Sequence, residues 1–255
     1  AVNIWSYTDW IFRPRMPQEL DLSLGGGVVY RQGPHQVDTV RLMGGGLVRS
    51  VRAMTGQWVQ GRPAPGYYCA YIEFEDGTPA TIVHNGYGYF ATNEFVPWVP
   101  EGRSQAQEAL TRRRAMRLGQ FDDGTAKGSV RFGSGGQVPA GAVQSVEEGG
   151  QTRAVPTGFQ ADLGIVLLSC ERGDIRQSPN GLWIYDDDGQ REVQVEGLHD
   201  ERMAELNEMY EAVTQDRPVR HDGRWGMATL EVVLAIMQSG RERREIMMSH
   251  QSPAY

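Results

Sequence analysis

Apolar and polar positions alternate through the middle of the chain, and helical spacing appears toward its ends. Ala1–Thr8 reads as a strand, and Leu47–Trp58, Tyr67–Glu75 and Pro79–Tyr87 as three more, with Asp76-Gly77 as the hairpin turn between the last two. A helix is predicted from Pro34, whose missing N–H suits a first turn. Val37, Val40, Arg41 and Leu42 give that helix a partly apolar face, and Gly44, Gly45 and Gly46 end it. A second helix is expected around Ser104–Leu118. The stretch from Phe121 to Pro156 is rich in Gly, Gln and Ser and lacks periodicity, which predicts a flexible insertion at about 119–157. Strand character returns at Gly164–Glu171, Gly181–Tyr185 and Arg191–Val195, with Asp186–Gly189 as a turn. Two helices follow, Asp200–Gln215 and Gly226–Ser239; the first carries Met203, Leu206, Met209, Tyr210 and Val213 at helical spacing.

Short strands joined by tight turns, with helices gathered at the ends, predict an α+β fold. The expected form is one domain over residues 1–255, with an open, predominantly antiparallel sheet and helices on one face. The other face is then left for a partner. Tyr67 and Tyr71, with Ile72 and Phe74 between, then Tyr87 and Tyr89, suit such a face or ordinary sheet packing.

Composition narrows the partners. The 255 residues are 40% hydrophobic and 22% charged, as in a soluble globular protein. A net charge of −7 argues against a nucleic-acid partner, which needs a basic face. No apolar run reaches the length of a membrane span. The local exception is Arg112-Arg113-Arg114 with Arg117, read as a solvated helix face or else as a subunit contact or anionic patch. Cys69 and Cys170 lie far apart in apolar runs. They are expected to be buried free thiols of a reducing cytosol, forming neither a metal site nor a disulfide framework.

Candidate chemistry concentrates in GGGVVYRQGPHQVD, Gly25–Asp38. Three glycines permit a tight turn and a close backbone approach. His35 then falls in the first turn of the predicted helix, with Asp38 three residues on and on the same side. A helix N-terminus lowers the proton affinity of a histidine and a nearby carboxylate raises it, so proton transfer near neutrality is within reach.

This run, the block DGRWGMATLEVVLAIMQSGRERREIMM (Asp222–Met248), the segment TDWIFRPRMPQELD (Thr8–Asp21) and RSVRAMTGQW (Arg49–Trp58) together resemble the Gfo/Idh/MocA family of nicotinamide-dependent dehydrogenases. The nearest likeness is to its phthalate dihydrodiol dehydrogenase branch. The resemblance covers most of the chain and is weakest between about 100 and 160. It implies a C-terminal domain of the glyceraldehyde-3-phosphate-dehydrogenase-like kind. It also implies a homo-oligomer formed through the open sheet face and an NAD or NADP cofactor held mainly by a separate Rossmann domain. No GxGxxG cradle occurs; Gly133-Ser134-Gly135-Gly136 comes nearest, but Val138 occupies the third glycine position. The lysine that the family sets beside its histidine has no counterpart, since the chain's one lysine, Lys127, lies in a loop with no family motif around it. Ala1-Val-Asn-Ile-Trp reads as an extended mid-domain segment, so the expectation is the substrate-binding half of a longer enzyme.

By this resemblance His35 is the catalytic base or its partner, and Asp38 orients it. Where sugar-oxidising members hold an aspartate four residues before the histidine, this chain has Arg31, which suits a carboxylate and not a polyol. Arg13 and Arg15 would add positive charge for a dicarboxylate, and Gln32 would hydrogen-bond a hydroxyl. His84 and Asn85 are looser candidates, since alternation sends them to opposite faces. The function expected is oxidation of a cyclic diol acid, such as a dihydrodiol of phthalate, in the cytoplasm. A sugar or polyol dehydrogenase and a non-catalytic binding or assembly module are the alternatives. No metal, nucleic-acid or membrane partner is expected.

Overall fold

The computed structural model describes residues 1–96, 102–124, 145–148, 151–154, 163–195 and 201–254. Strands are β1 (Val2–Tyr7), β2 (Val48–Gly56), β3 (Tyr67–Phe74), β4 (Pro79–Asn85), β5 (Ser145–Glu148), β6 (Gln151–Ala154), β7 (Ile165–Cys170), β8 (Gly173–Gln177), β9 (Gly181–Asp186), β10 (Gly189–Gln194) and β11 (Ile246–Met247). Helices are α1 (Pro17–Leu20), α2 (Val28–Arg31), α3 (Gly33–Met43), α4 (Gly102–Arg117), α5 (Glu201–Gln215) and α6 (Gly223–Glu242). Nine strands form one sheet in the order β10-β9-β8-β7-β1-β4-β3-β2-β11, and β5 pairs with β6.

Every neighbouring pair of the large sheet is antiparallel except β1 and β4, where Val2 stands opposite Ala80 and Tyr7 opposite Asn85. The run from β1 to β2 is a crossover, which β-strands of like direction require. That crossover carries α2 and α3, and it brings His35 to the sheet.

Alternation decides the two faces. Val2, Ile4, Ala53, Tyr68, Ala70, Ile72, Phe74, Ala80 and Ile82 are buried. They meet α6 through Val232, Val233 and Ile236, and α3 through Val37 and Val40. On the opposite face Trp5, Met54 and Tyr71 are half exposed. The sheet is thus open on one side and covered by helices on the other, as the sequence predicts. Tyr71 and Tyr67 share the open face, whereas Ile72 and Phe74 point to the helices.

The tight turn before α2 is built as the glycines suggest. Gly25 and Gly27 have positive φ, and a Cβ on Gly26 would lie 2.7 Å from the backbone of Glu19 and Asp21. Only glycine fits there.

Several expectations are corrected. β8 is a further strand; with Ile175 alone as a strong apolar signal, it forms because β7 and β9 flank it. Between Phe121 and Pro156, residues 145–154 hold an antiparallel pair, while 125–144, 149–150 and 155–156 lie outside the described residues. Cys69 is half-buried on the open face and Cys170 is exposed at the end of β7, so both thiols are free but neither is buried. The arginine cluster of α4 is a solvated face only in part: Arg114 and Arg117 are exposed, but Arg113 is buried and Arg112 pairs with Asp9 at 2.6 Å. Leu42 is exposed at the end of α3, whereas Arg41 is buried together with Val37 and Val40.

One polar row lies inside the core. Ser6 and His84 stand opposite each other on β1 and β4, and His84 stacks parallel to Tyr68 with centroids 5.9 Å apart. Neither ring nitrogen of His84 has a hydrogen-bond partner among the described residues. Burial, with a smaller push from Arg13, lowers its pKa to about 3. The unfolded chain therefore binds this proton below its ordinary value of about 6.5, while the folded one resists it until about 3. Stability contributed by neutral His84 is complete above about pH 6.5 and is lost as pH falls toward 3. His84→Phe keeps the ring stack and removes the titration. Urea unfolding between pH 6 and 4.5 should show wild type losing up to about 1.4 kcal/mol more per pH unit than the variant. Equal slopes would show that His84 protonates freely in the folded chain.

Candidate active site

Helix α3 begins at Gly33 directly after Gln32 closes α2, and Pro34 occupies its first turn. His35 follows in that turn and is exposed; among the described residues its ring has no hydrogen-bond partner. Its neighbour Gln36 is buried and points the other way. The Tyr68 hydroxyl donates to Gln36 Oε1, and Gln36 Nε2 donates to the Leu163 carbonyl at 2.9 Å. These bonds fix the helix on the sheet and leave the imidazole facing outward.

Asp38 does something other than orient His35. Its Oδ1 accepts from Trp225 Nε1 at 2.5 Å and from Thr229 Oγ1 at 3.1 Å, both on α6. Its Oδ2 lies 3.8 Å from His221 Nε2, whose Nδ1 is 3.3 Å from Glu208 on α5. The i,i+3 spacing places Asp38 on the side of the helix where α6 packs, and the indole N–H claims it. His221 is the second histidine of this surface. Its own signal was slight, a lone residue just before the Asp222 cap of α6, and only the fold brings it to Asp38.

The four proposed substrate groups divide. Arg31 is exposed at the end of α2 and forms no ion pair among the described residues, and Gln32 is half-buried beside it. Both adjoin His35 along the chain. Arg13 and Arg15 belong to a different network. Arg13 Nε donates to Asp9 at 2.8 Å, and Arg112 reaches the same carboxylate. Burial works against ionisation of Asp9, but the two guanidinium groups outweigh it and hold its carboxyl below the usual range. Arg15 is largely buried, lies 3.8 Å over the Trp10 ring and donates to the Trp10 carbonyl and to Glu19. Burial lowers its pKa to about 10, so it stays charged at neutral pH. Arg15 is thereby committed to the fold. His84 points into the core and Asn85 to the opposite face, where it accepts from the Tyr87 amide.

The described residues offer no dinucleotide cradle. Where a strand leads toward a helix, after β1, the chain passes through Trp10–Phe12 and the four-residue α1, with no glycine-rich strand-to-helix turn. Groups of histidine, cysteine and carboxylate suited to a metal ion are likewise absent among the described residues.

Residues 1–95 match the model of the GFO/IDH/MocA C-terminal domain. The chain is 29% identical over 245 residues to 1-carboxy-3-chloro-3,4-dihydroxycyclohexa-1,5-diene dehydrogenase of Comamonas testosteroni, a match covering 94% of this chain and 58% of that protein. A solved structure from Bordetella bronchiseptica RB50, assigned as a dehydrogenase, superposes with a TM-score of 0.78 at 33% identity; the match covers 97% of this chain and 61% of the other. The WlbA dehydrogenase of Bordetella pertussis, solved with NADH and UDP-GlcNAcA, shares the fold at a TM-score of 0.55 and 16% identity, over 97% of this chain and 54% of its own. The chain therefore spans 54–61% of the length of these relatives.

The two classes of arginine separate by stability. Arg15→Ala removes the bonds of Arg15 to Glu19 and to the Trp10 carbonyl and its packing on the Trp10 ring, and should cost about 1–3 kcal/mol in urea unfolding. Arg31→Ala should stay within about 0.5 kcal/mol of the parent. A neutral Arg15 variant would return Arg15 to the list of available substrate groups.

Proposed function

We propose that this chain, whose residues 1–95 match the GFO/IDH/MocA C-terminal domain, is the substrate-side part of a nicotinamide-dependent dehydrogenase of that family acting on a carboxylated cyclic diol. The observation that carries the reading is the exposed His35, held in the first turn of α3 with its ring free of partners among the described residues. Such a dehydrogenase must remove a hydroxyl proton from a secondary alcohol, and an imidazole facing outward is suited to accept it. The Comamonas relative supports the substrate class, because its name describes a ring bearing one carboxylate and two hydroxyls.

Arg31 is the group for the carboxylate. It is exposed, unpaired among the described residues and directly ahead of the histidine helix. Gln32 lies between the two and suits a hydroxyl. Since the described residues form no dinucleotide cradle, we assign binding of NAD or NADP to a portion outside them, such as the further length that the relatives have. Asp38, bonded to α6, acts by holding the helix and not by tuning the imidazole.

We also propose that the open sheet face, with Trp5, Met54 and Tyr71, is covered by a second copy of the chain. Exposed aromatic rings on an uncovered sheet favour such burial. Sedimentation at tens of micromolar should then give at least a dimer mass; a monomer would remove the proposal.

The test of the catalytic reading uses the enzyme in which this chain is joined to its dinucleotide-binding part. His35→Ala should lower turnover by about 10² to 10⁴. The fold should be unaffected, because the side chain is exposed. Arg31→Ala should raise KM for a carboxylated diol more than it lowers kcat, with no such penalty for the decarboxylated analogue. Near-parental turnover of His35→Ala would overturn the assignment.

A further inference from the structure

A cavity of about 540 Å³ lies between the loop after β2, the turn after β4 and helix α4. None of its lining residues belongs to α3, so it is separate from the His35 surface and stands independently of the dehydrogenase reading. Its walls join ring faces to guanidinium groups. Trp58 is 63% exposed although it is one of the largest apolar side chains, and it stacks at about 5 Å on Tyr67 and Tyr87. An indole kept rigid by two rings yet open to solvent is a ready platform for a flat ligand.

The cations are arranged around it. Arg62 is already neutralised by Asp123, with contacts of 2.8 and 3.1 Å. Arg113 is buried, its guanidinium between the rings of Phe12 and Tyr89 at 3.8 and 3.9 Å. Its terminal nitrogen donates to the Tyr87 and Gly88 carbonyls, while its Nε has no partner among the described residues. Arg117, one turn on and on the same side, donates to the Tyr89 hydroxyl at 2.5 Å. Neither Arg113 nor Arg117 has a carboxylate partner among the described residues. Arg113 feels the Asp9 carboxylate but forms no ion pair with it, and Arg117 is exposed beside it, so the two cations at an open ring platform favour an anion, and the shape of the platform favours a flat one.

We propose that this cavity binds a planar aromatic carboxylate, with its ring on Trp58 and its carboxylate on Arg113 and Arg117. A small inorganic anion would satisfy the arginines and leave the indole uncovered. A neutral aromatic would do the reverse. Among the obvious classes, a ring bearing a carboxylate uses both halves of the site.

Calorimetric titration of the 255-residue chain with benzoate tests this. One site with a dissociation constant below about 1 mM is expected. Benzamide, acetate and inorganic phosphate should each bind at least about tenfold more weakly. Arg117 is exposed, so Arg117→Gln should fold normally by circular dichroism and should weaken benzoate about tenfold. Benzoate should also change tryptophan fluorescence in the parent and not in Trp58→Phe, whereas His35→Ala should bind it as the parent does. The proposal is overturned by absence of saturable benzoate binding, by phosphate binding as tightly as benzoate, or by unchanged affinity in Arg117→Gln. Loss of binding in His35→Ala alone would move the site to α3 and likewise overturn it.

Discussion

The placement of the candidate active site depends on how α3 is clamped to α6. Arg41 is fully buried, which no arginine tolerates unless its donors are met. It donates to the Trp225 carbonyl at 3.0 Å, to Thr229 Oγ1 at 2.8 Å, to Gln251 Oε1 at 3.1 Å and to the Ser252 carbonyl at 3.2 Å, and its guanidinium lies 3.8 Å over the Trp225 ring. One turn earlier, Asp38 takes the indole N–H of the same tryptophan. A cation and an anion of α3 thus grip one residue of α6 from two sides. Removing either would strand the other groups in a dry interface, so the arrangement is costly to disturb.

From this clamp the orientation of the first turn follows. With Val37, Val40 and Arg41 turned inward and Gln36 bonded to Tyr68, helical geometry leaves His35 the outward direction. His35 is therefore presented by a rigid element, which suits a group that must meet a ligand at fixed distance.

Much of the fold was legible because the sheet has one wet and one dry face. Val2, Ile4, Ala80 and Ile82 alternate with more polar or half-exposed neighbours, and Pro34 with Gly44 brackets α3. What alternation could not supply was partner choice. Asp38 reads as a companion to His35 only while α6 is ignored; the Trp225 N–H lies 187 residues away in sequence and takes precedence. Arg15 reads as free charge until Trp10 and Glu19 close around it. Helix α5 shows the reverse limit. Its apolar spacing is real, yet Met203, Leu206, Met209, Tyr210 and Val213 are all exposed. Periodicity shows that a helix has an apolar side and says nothing of what that side meets.

The parallel pairing of β1 and β4 has a consequence for how the chain reaches its native state. β1 comes first in sequence yet sits at the middle of the sheet, and its second neighbour, β7, joins Val2 to Leu168. During synthesis one edge of β1 can be covered once β4 has emerged, but the other must wait for some eighty further residues. Through that interval a strand carrying Val2, Ile4 and Trp5 presents unpaired N–H and C=O groups, the kind of edge that recruits a strand from another chain. Pairing over such a separation is also entropically slow. Assembly from the ribosome should therefore be the stage at which this protein most needs a chaperone or a low concentration of its own nascent copies.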